Sequence, residues 1–291
     1  MRYPFTQAPC LNVGPLKEGS FVYFCHSRIA STTRLILVIA SLVAPIAFTG
    51  CGSGSGQAAT APAALPPAIP AAEPVLLYNG TGASPSDVSA VEAVLGTLDL
   101  GYATADSSQL NAMSEPQLGG YKLIIVPGGN SITIGESLTA NTASTIRGAV
   151  TQYGVHYLGI CAGAFFGGYS IYNGVDLTAG VSFNFYAAEL QGIHLEPVEI
   201  SLPGSGPLDM YWQDGPQLSG WGSVVAKFPD GTPAIVEGQS GAGFVIFTGV
   251  HPEAPESWRG SMVFTTPVSV DLAYAGTVIH AAVSGTPLPH F

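Results

Sequence analysis

Residues 157–168 read YLGICAGAFFGG, an apolar run followed by a cysteine that has glycines two positions before and two positions after it. Tyr157-Leu158-Gly159-Ile160 has the length and composition of a buried strand. Cys161 then opens a segment of small residues, which suits a sharp turn from a strand into a helix with the thiol exposed at the turn. The pattern therefore predicts a strand–cysteine–helix elbow.

Further apolar strands alternate with helical patterns along the chain. Strands are predicted at residues 75–78 and 123–126, and helices from Ser84 or Ser86 to about residue 98, around residues 146–153 and over about residues 270–283. Uniformly apolar strands separated by helices indicate a mostly parallel sheet that is covered on both faces. We therefore expect an α/β fold, a three-layer, flavodoxin-like sandwich, in a single domain.

The first part of the chain has the pattern of a targeting segment. Arg28 and Arg34 precede an apolar run over residues 35–48, and Phe48-Thr49-Gly50-Cys51 resembles the processing box of bacterial lipoproteins. That resemblance implies that Cys51 is lipidated and becomes the new N-terminus. A soluble secreted protein and an uncleaved anchor are the alternatives.

These features predict four segments and a location. Residues 1–50 are a signal peptide of the lipoprotein type, and residues 51–74 are a tether that is first Gly/Ser-rich and then Ala/Pro-rich. Residues 75–285 form the folded domain, and residues 286–291 are a tail. The expected location is the cell envelope, with the chain anchored by lipid to a bacterial membrane on its periplasmic or outer face.

The charge balance excludes one class of partner. After Cys51 the chain has 18 acidic and four basic residues, without a basic cluster. This excess of negative charge repels nucleic acid and anionic lipid headgroups. A nucleic-acid partner is therefore not expected, and the sequence does not identify a protein partner.

The cysteines limit the role of Cys161. The four cysteines are Cys10, Cys25, Cys51 and Cys161. Cleavage before Cys51 removes the first two and lipidation uses the third, so Cys161 becomes the single free thiol and no intramolecular disulfide can form. Cys161 is then either a small buried apolar residue or a nucleophile.

A candidate base for that nucleophile follows the last long strand, predicted at residues 243–247. His251-Pro252-Glu253 places a histidine and a carboxylate two residues apart, which brings both side chains to the same side of an extended segment. A cysteine nucleophile needs a base within hydrogen-bonding reach, and the base needs an orienting group. The amides of Ala162 and of Gly128 or Gly129 are the expected oxyanion donors.

Together, these motifs resemble a known family. Pro127-Gly128-Gly129, Gly159-Ile160-Cys161-Ala162-Gly163 and His251-Pro252-Glu253, in this order, are similar to class I glutamine amidotransferases. Tyr78-Asn79-Gly80-Thr81-Gly82-Ala83-Ser84 together with GICAGAFF is closest to the N-terminal domain family of biotin-protein ligases. The resemblance implies that Cys161 is the nucleophile, His251 the base and Glu253 the orienting acid. The chain has no Gly-Arg-Gly-Arg-type motif, so biotinylation is not expected.

Other residues have two interpretations each. Asn79, Gly80 and Gly82 form either a tight turn or a loop that binds a ligand carboxylate through its amides. The aromatic residues of 183–186 and 211–212 either line a substrate cleft or pack in the core. Only His251-Pro252-Glu253 comes near the spacing of metal ligands, and His251 and Glu253 already have a role as base and orienting acid. Neither a metal nor a cofactor is therefore expected.

The expected function is hydrolysis by a cysteine nucleophile. An extracytoplasmic, membrane-tethered, amidotransferase-like protein would cleave an amide or γ-glutamyl-type bond of a small molecule or peptide with Cys161, His251 and Glu253. The alternatives are a catalytically inactive ligand-binding domain of the same fold and a scaffold of the cell envelope.

Overall fold

A seven-stranded sheet organises the residues that the computed structural model describes, which are 64–260 and 262–291. The predicted signal peptide, Cys51 and the first part of the predicted tether lie outside these residues. Eleven strands occur in chain order: β1 Val75–Tyr78, β2 Tyr102–Ala105, β3 Leu123–Val126, β4 His156–Ile160, β5 Asn184–Phe185, β6 Leu195–Ile200, β7 Leu208–Gln213, β8 Pro216–Gln217, β9 Ser223–Lys227, β10 Pro233–Ser240 and β11 Gly243–Thr248.

Helices connect or flank these strands. In chain order they are α1 Pro85–Thr97, α2 Ser107–Ala112, α3 Glu115–Leu118, α4 Ser131–Ser137, α5 Ala140–Tyr153, α6 Ala162–Gly167, α7 Glu256–Arg259 and α8 Val268–Ser284, and a 3-10 turn occurs at Glu189–Gln191. None of the helices in the described ranges is long and apolar enough to cross a membrane.

The strand order of the main sheet is β2-β1-β3-β4-β11-β10-β9. The neighbours from β2 to β11 pair in parallel, whereas β10 pairs antiparallel with both β11 and β9. The first five strands follow the flavodoxin-like order, with the switch point between β1 and β3. The predicted α/β class and mostly parallel sheet are confirmed.

Both faces of the sheet are buried because alternate residues of each strand point to opposite faces. In β3, Ile125 belongs to the core cluster that also contains Leu95 of α1 and Ile279 of α8, whereas Ile124 belongs to the cluster that contains Ile146 of α5. This arrangement explains the uniformly apolar strands, since parallel strands between two helical layers have no solvent-facing side.

Local sequence signals define the ends of the long helices. The side chain of Ser84 caps α1 and Pro85 occupies its first position, while Thr139 caps α5. Gly154 and Gly285 end α5 and α8 in the left-handed conformation that glycine favours. The helix predicted over about residues 270–283 is two residues longer at its start.

The tether and tail segments both contact the domain. The amide of Ile69 donates to the carbonyl of Pro116, and the Tyr153 hydroxyl donates to the carbonyl of Pro66. At the other end, the Leu288 amide donates to the buried carboxylate of Glu237, and the Phe291 amide donates to the carbonyl of Val224. Residues 64–74 and 286–291 are therefore attached to the domain by hydrogen bonds, while most of their side chains remain exposed.

Candidate active site

Four loops meet at the carboxyl ends of parallel strands. They follow β1 (residues 79–84), β3 (127–130), β4 (Cys161) and β11 (249–253). Because these strands are neighbours in the sheet, their loops lie beside the switch point, where α/β folds bind ligands. Each motif identified in the sequence occupies one of these loops.

Cys161 lies in a strained turn between β4 and α6. Its φ of 49° and ψ of −104° are unusual for a residue with a side chain. The neighbouring glycines make this turn possible, since a Cβ on Gly163 would lie 1.9 Å from the carbonyl oxygen of Val126, and one on Gly159 would lie 2.4 Å from the carbonyl oxygen of Gly163. The elbow has the conformation expected from the sequence.

The expectation that the elbow exposes the thiol is wrong, because Cys161 is only 6% exposed. Its Sγ lies 3.5 Å from the carbonyl oxygen of Gln213, the last residue of β7. β7 follows the part of the chain where the sequence pattern is least regular, and no motif there indicates that it covers the elbow. The Cys161 thiol is therefore enclosed.

His251 lies beside this thiol. The His251 ring is 4% exposed, and its backbone amide donates to the carbonyl of Tyr211. Its Nδ1 is 2.9 Å from Oε1 of Glu253, and the Cys161 thiol is within hydrogen-bonding reach of the ring. Because Nδ1 faces the carboxylate, Nε2 is the nitrogen available to the thiol. The structure thus brings Cys161, His251 and Glu253 together.

Asp87 is a fourth member of the site that the sequence did not reveal. It is 7% exposed in the first turn of α1, and its Oδ1 lies 3.3 Å from Nδ1 of His251. The Ser86 hydroxyl donates to Asp87 Oδ2. An acidic residue in the first turn is common in helices, because it interacts favourably with the helix dipole. This position therefore carries no signal of a role near His251.

The pKa values follow from this arrangement. Burial alone would lower the pKa of His251, but the charges of Glu253 and Cys161 and the hydrogen bond with Asp87 outweigh burial and raise the pKa well above its ordinary value. Burial raises the pKa of Glu253 despite the attraction of His251. Burial would also raise the pKa of Asp87, but the contact with His251 outweighs burial there and lowers the pKa. The site thus favours an imidazolium at His251.

Gly128 makes room for this cluster. A Cβ at this position would lie 2.0 Å from Oδ1 of Asp87 and 2.7 Å from Cε1 of His251. The glycine of the loop after β3 therefore has a steric role in addition to the oxyanion role predicted for it.

The predicted oxyanion donors are three amides without partners. Among the described residues, the amides of Gly128, Gly129 and Ala162 donate no hydrogen bond. The close approach of Gly163 to Val126 brings the start of α6 against the end of β3, so the Ala162 amide lies near the loop of Gly128 and Gly129. Free amides at this position are what stabilisation of an oxyanion requires.

The loop of Asn79, Gly80 and Gly82 supports the loop after β3. The carbonyl of Gly82 accepts from the Asn130 amide, and Ala83 forms an isolated bridge with Gly129. The amide of Asn79 donates to the carbonyl of Ala105, so it is already used within the fold. These contacts belong to a tight turn, and they leave the amides of Gly80 and Gly82 for any role in binding.

The aromatic residues divide between core and site. Trp212 and Tyr186 are buried and pack against each other with ring centroids 5.6 Å apart. Tyr211 and Trp258 lie over His251, with centroid distances of 5.7 and 5.8 Å. Trp212 thus packs in the core, whereas Tyr211 contacts the His251 ring, and its role in lining a substrate cleft stays a prediction.

Two groups of side chains within the described ranges have the composition of a metal site. Asp87, His251 and Glu253 place one potential ligand atom each within 4.8 Å of one another, as do the more exposed Glu189, His194 and Asp214. In the first group, the contacts of 2.9 and 3.3 Å to His251 are those of an oriented imidazole. We therefore assign this group to the positioning of His251.

Comparison with known families agrees with this geometry. Residues 73–189 match the family model described as biotin-protein ligase, N terminal. This match confirms the resemblance inferred from the motifs. It covers the elbow and the loops after β1 and β3, and it ends before His251 and Glu253. A search of curated proteins found no match to the chain.

Several solved structures are similar in fold. A glutamine amidotransferase is 21% identical with a TM-score of 0.48, covering 62% of this chain and 90% of its own. A putative GMP synthase component from Thermoplasma acidophilum is 13% identical with a TM-score of 0.48, covering 73% and 96%. An exo-beta-1,4-mannosidase from Opitutaceae bacterium strain TAV5 is 15% identical with a TM-score of 0.47, covering 72% of this chain but only 35% of its own. At these scores the similarities support no conclusion about activity.

Proposed function

We propose that this protein is an extracytoplasmic, membrane-tethered hydrolase that cleaves an amide or γ-glutamyl-type bond with Cys161, His251 and Glu253. The observation that supports it most is a buried histidine that has a carboxylate at 2.9 Å and whose pKa is raised in part by the charge of the nearby Cys161. Such an arrangement is what activation of a cysteine nucleophile requires.

The proposed reaction begins at the sulfur. His251 holds the proton of Cys161, and the thiolate attacks the carbonyl carbon of the substrate to form a tetrahedral oxyanion, which the amides of Ala162, Gly128 and Gly129 stabilise. The C–N bond then breaks, and His251 gives its proton to the departing amine. A thioester on Cys161 remains.

Water completes the reaction. His251, now neutral, takes a proton from the water molecule as its oxygen attacks the thioester carbon. The C–S bond breaks, the carboxylic acid leaves, and the proton returns to the sulfur of Cys161. Glu253 and Asp87 hold Nδ1 of His251 throughout, so that Nε2 faces the reacting atoms.

Hydrolysis suits the proposed location better than transfer of ammonia. Amidotransferases pass ammonia to a partner synthetase, and such synthetases work on ATP in the cytoplasm. A protein tethered outside the membrane has water as its acceptor instead. The proposal therefore needs neither a partner protein nor a cofactor.

A second candidate function is ligand binding without turnover. It is favoured by the burial of Cys161, which is only 6% exposed and has the Gln213 carbonyl beside it. A substrate would have to displace this cover to reach the sulfur.

Alkylation of Cys161 as a function of pH separates the two candidates. An unpaired thiol reacts with a midpoint near pH ~8.5, whereas one paired with a histidine reacts at considerably lower pH. We expect reactivity below neutral pH in the wild type and its loss in His251→Gln, which retains a donor toward the two carboxylates. Circular dichroism of both proteins checks that the fold is intact. Absence of low-pH reactivity in the folded wild type would contradict the hydrolase.

Turnover itself is tested with a panel of amides and γ-glutamyl compounds. Cys161→Ala should abolish release of the amine while the protein stays folded. Undiminished activity in this variant would exclude the thioester mechanism.

The tether is tested separately. Cys51→Ser should shift the protein from the membrane fraction to the soluble fraction of the cells that produce it, and the wild type should incorporate a labelled fatty acid. Retention of the variant in the membrane would argue for an uncleaved anchor.

A further inference from the structure

A mostly apolar cavity of about 180 Å³, partly open to solvent, is lined by residues of α4, the end of α6 and the segment from Tyr169 to Phe185. Aromatic and aliphatic side chains form most of its wall, and the rings of Phe165 and Phe185 contact each other with centroids 5.0 Å apart. The lining residues used below are Ile132, Phe165, Tyr169, Tyr172, Phe183 and Phe185.

Three connections through the chain relate this cavity to Cys161. Phe165 lies one helical turn along α6, and its amide donates to the carbonyl of Cys161. Ile132 lies in the first turn of α4, three residues after Gly129, one of the predicted oxyanion donors. Phe185 pairs with Pro216 of β8, and the turn between β7 and β8 begins at Gln213, whose carbonyl meets the thiol.

The environment of His251 is different. The rings that cover His251 belong to Tyr211 and Trp258, and neither residue lines the cavity. In the proposed reaction His251 protonates the departing amine, so the amine must lie beside His251. The acyl side of the substrate is then the part that extends past Cys161 toward Phe165 and Phe185.

The lack of cationic side chains in the cavity wall limits which acyl groups it can bind. None of the cationic residues in the described ranges lines it. Arg147 is engaged with the carbonyl of Val175, Arg259 with Asp271, and Lys227 with the ring of Phe291. The free carboxylate of a γ-glutamyl group would therefore lose hydration there and gain no cationic partner, because the polar groups of the lining are only the hydroxyls of Ser131, Ser170 and the two tyrosines.

We propose that the site takes amides or esters whose acyl group ends in a phenyl-sized apolar side chain, which occupies the cavity that Phe165 and Phe185 line. The cavity volume suits this size, since an apolar cavity of roughly 150 Å³ holds benzene. The inference rests on the proposed hydrolase function and narrows its substrate class from amides in general to aryl-acyl and similar compounds.

The test compares acyl groups on the full chain. Acylation of Cys161 is followed with p-nitrophenyl acetate and p-nitrophenyl phenylacetate. Each rate is divided by the rate at which the same ester acylates a small free thiol. γ-Glutamyl p-nitroanilide is included as the compound with a charged acyl group. We expect phenylacetyl to be preferred over acetyl by roughly tenfold or more. The γ-glutamyl compound should react no better than an anilide of acetic acid.

Two variants connect this preference to the cavity. Phe185 is 47% exposed in a two-residue strand, so Phe185→Ala should fold normally and lose most of the phenylacetyl preference, measured as the ratio of the phenylacetyl rate to the acetyl rate. Ile171 is 73% exposed, lies near the cavity in the chain and does not line it. Ile171→Ala should therefore keep the preference.

The outcomes distinguish this inference from the function on which it rests. One outcome is that Cys161 is acylated, but the normalised rates are equal or the γ-glutamyl compound is preferred. This outcome would overturn the assignment of the apolar pocket and leave the proposed hydrolase function standing. A folded protein in which no compound acylates Cys161 would overturn the hydrolase. In that case, phenylacetate is tested as a ligand that slows the alkylation of Cys161. Slowing in the wild type but not in Phe185→Ala would still assign the cavity as a binding site. If phenylacetate slows alkylation in neither protein, the cavity is not a binding site either.

Discussion

Asp87 is the residue whose role the structure makes most testable. Its Oδ1 lies 3.3 Å from Nδ1 of His251 and shares that nitrogen with Glu253. Asp87→Asn keeps the shape and a hydrogen-bond acceptor, but it removes the negative charge that stabilises the imidazolium. We expect the proton to remain on the Cys161 sulfur to higher pH in this variant, because His251 holds the proton less strongly.

The size of this effect follows from the contact. A hydrogen bond to a charged group contributes about 1.5–3 kcal/mol and a neutral one about 0.5–1.5 kcal/mol. At 3.3 Å the contact is long for a charged pair, which favours the lower part of the range. A difference of about 1–1.5 kcal/mol corresponds to roughly one pH unit at about 1.36 kcal/mol per unit. The midpoint of Cys161 alkylation should therefore rise by about one pH unit.

The assay is the rate of iodoacetamide alkylation of Cys161 from about pH 4 to 9. Asp99→Asn is the matched control, because it makes the same charge change at an exposed position after α1. Asp99 has a positive φ of 52°, a conformation that asparagine tolerates. Asp99→Asn should have the wild-type midpoint. If the midpoint of Asp87→Asn is unchanged or lower, Asp87 does not stabilise the His251 imidazolium, and the assignment as a positioning residue fails.

Two further predictions concern stability. Gly163→Ala should lower the free energy of unfolding, measured in urea, by about 1–3 kcal/mol, because its Cβ would lie 1.9 Å from the Val126 carbonyl oxygen. Gly96→Ala is the control and should be neutral or slightly stabilising, because its Cβ meets nothing within 4 Å. Equal stability of the two variants would contradict the tight packing of α6. Burial raises the pKa of Glu237 above 4.5 against the opposing hydrogen bond from Leu288, so its contribution to stability is present below about pH 4.5 and is lost as pH rises through the folded-state pKa. Glu237→Gln should therefore gain stability relative to the wild type between about pH 4 and 7, and a difference that does not change with pH would show that the carboxyl is not perturbed.

The buried part of the fold could be predicted from the sequence. β1 and β3 have the predicted bounds, because four consecutive apolar residues ended by Gly or Pro have few other interpretations in an α/β pattern. β2 was not predicted. It lies at the sheet edge with three of its four residues partly or fully exposed, so its Tyr-Ala-Thr-Ala sequence lacks the apolar run. Burial thus makes a strand recognisable in the sequence, and edge strands provide little of that signal.

The site was predictable to the extent that its residues are adjacent in sequence to strand ends. Cys161 and His251 follow β4 and β11, which are parallel neighbours, so their proximity follows from the topology. The cover over Cys161 comes from β7, whose Tyr211-Trp212 is equally typical of a core. Its position depends on antiparallel pairing with β6 outside the main sheet. No periodicity in the sequence specifies where such a two-stranded unit lies.

The two carboxylates beside His251 have different environments, and this difference indicates which of them stays charged. Asp87 lies in the first turn of α1, and although burial would raise its pKa, the hydrogen bond with His251 and the charge of that ring lower it, with smaller contributions from Ser84 and Ser86. Glu253 is 1% exposed, its Oε2 has no hydrogen-bond partner among the described residues, and its pKa is raised. As pH falls, Glu253 therefore takes up a proton before Asp87 does. Glu253, the nearer carboxylate at 2.9 Å, fixes the direction of the ring, and Asp87 supplies the charge that persists in acid. Paired groups whose environments shift their pKa values in opposite directions usually divide the work in this way, and the division explains why a site with one histidine contains two acids.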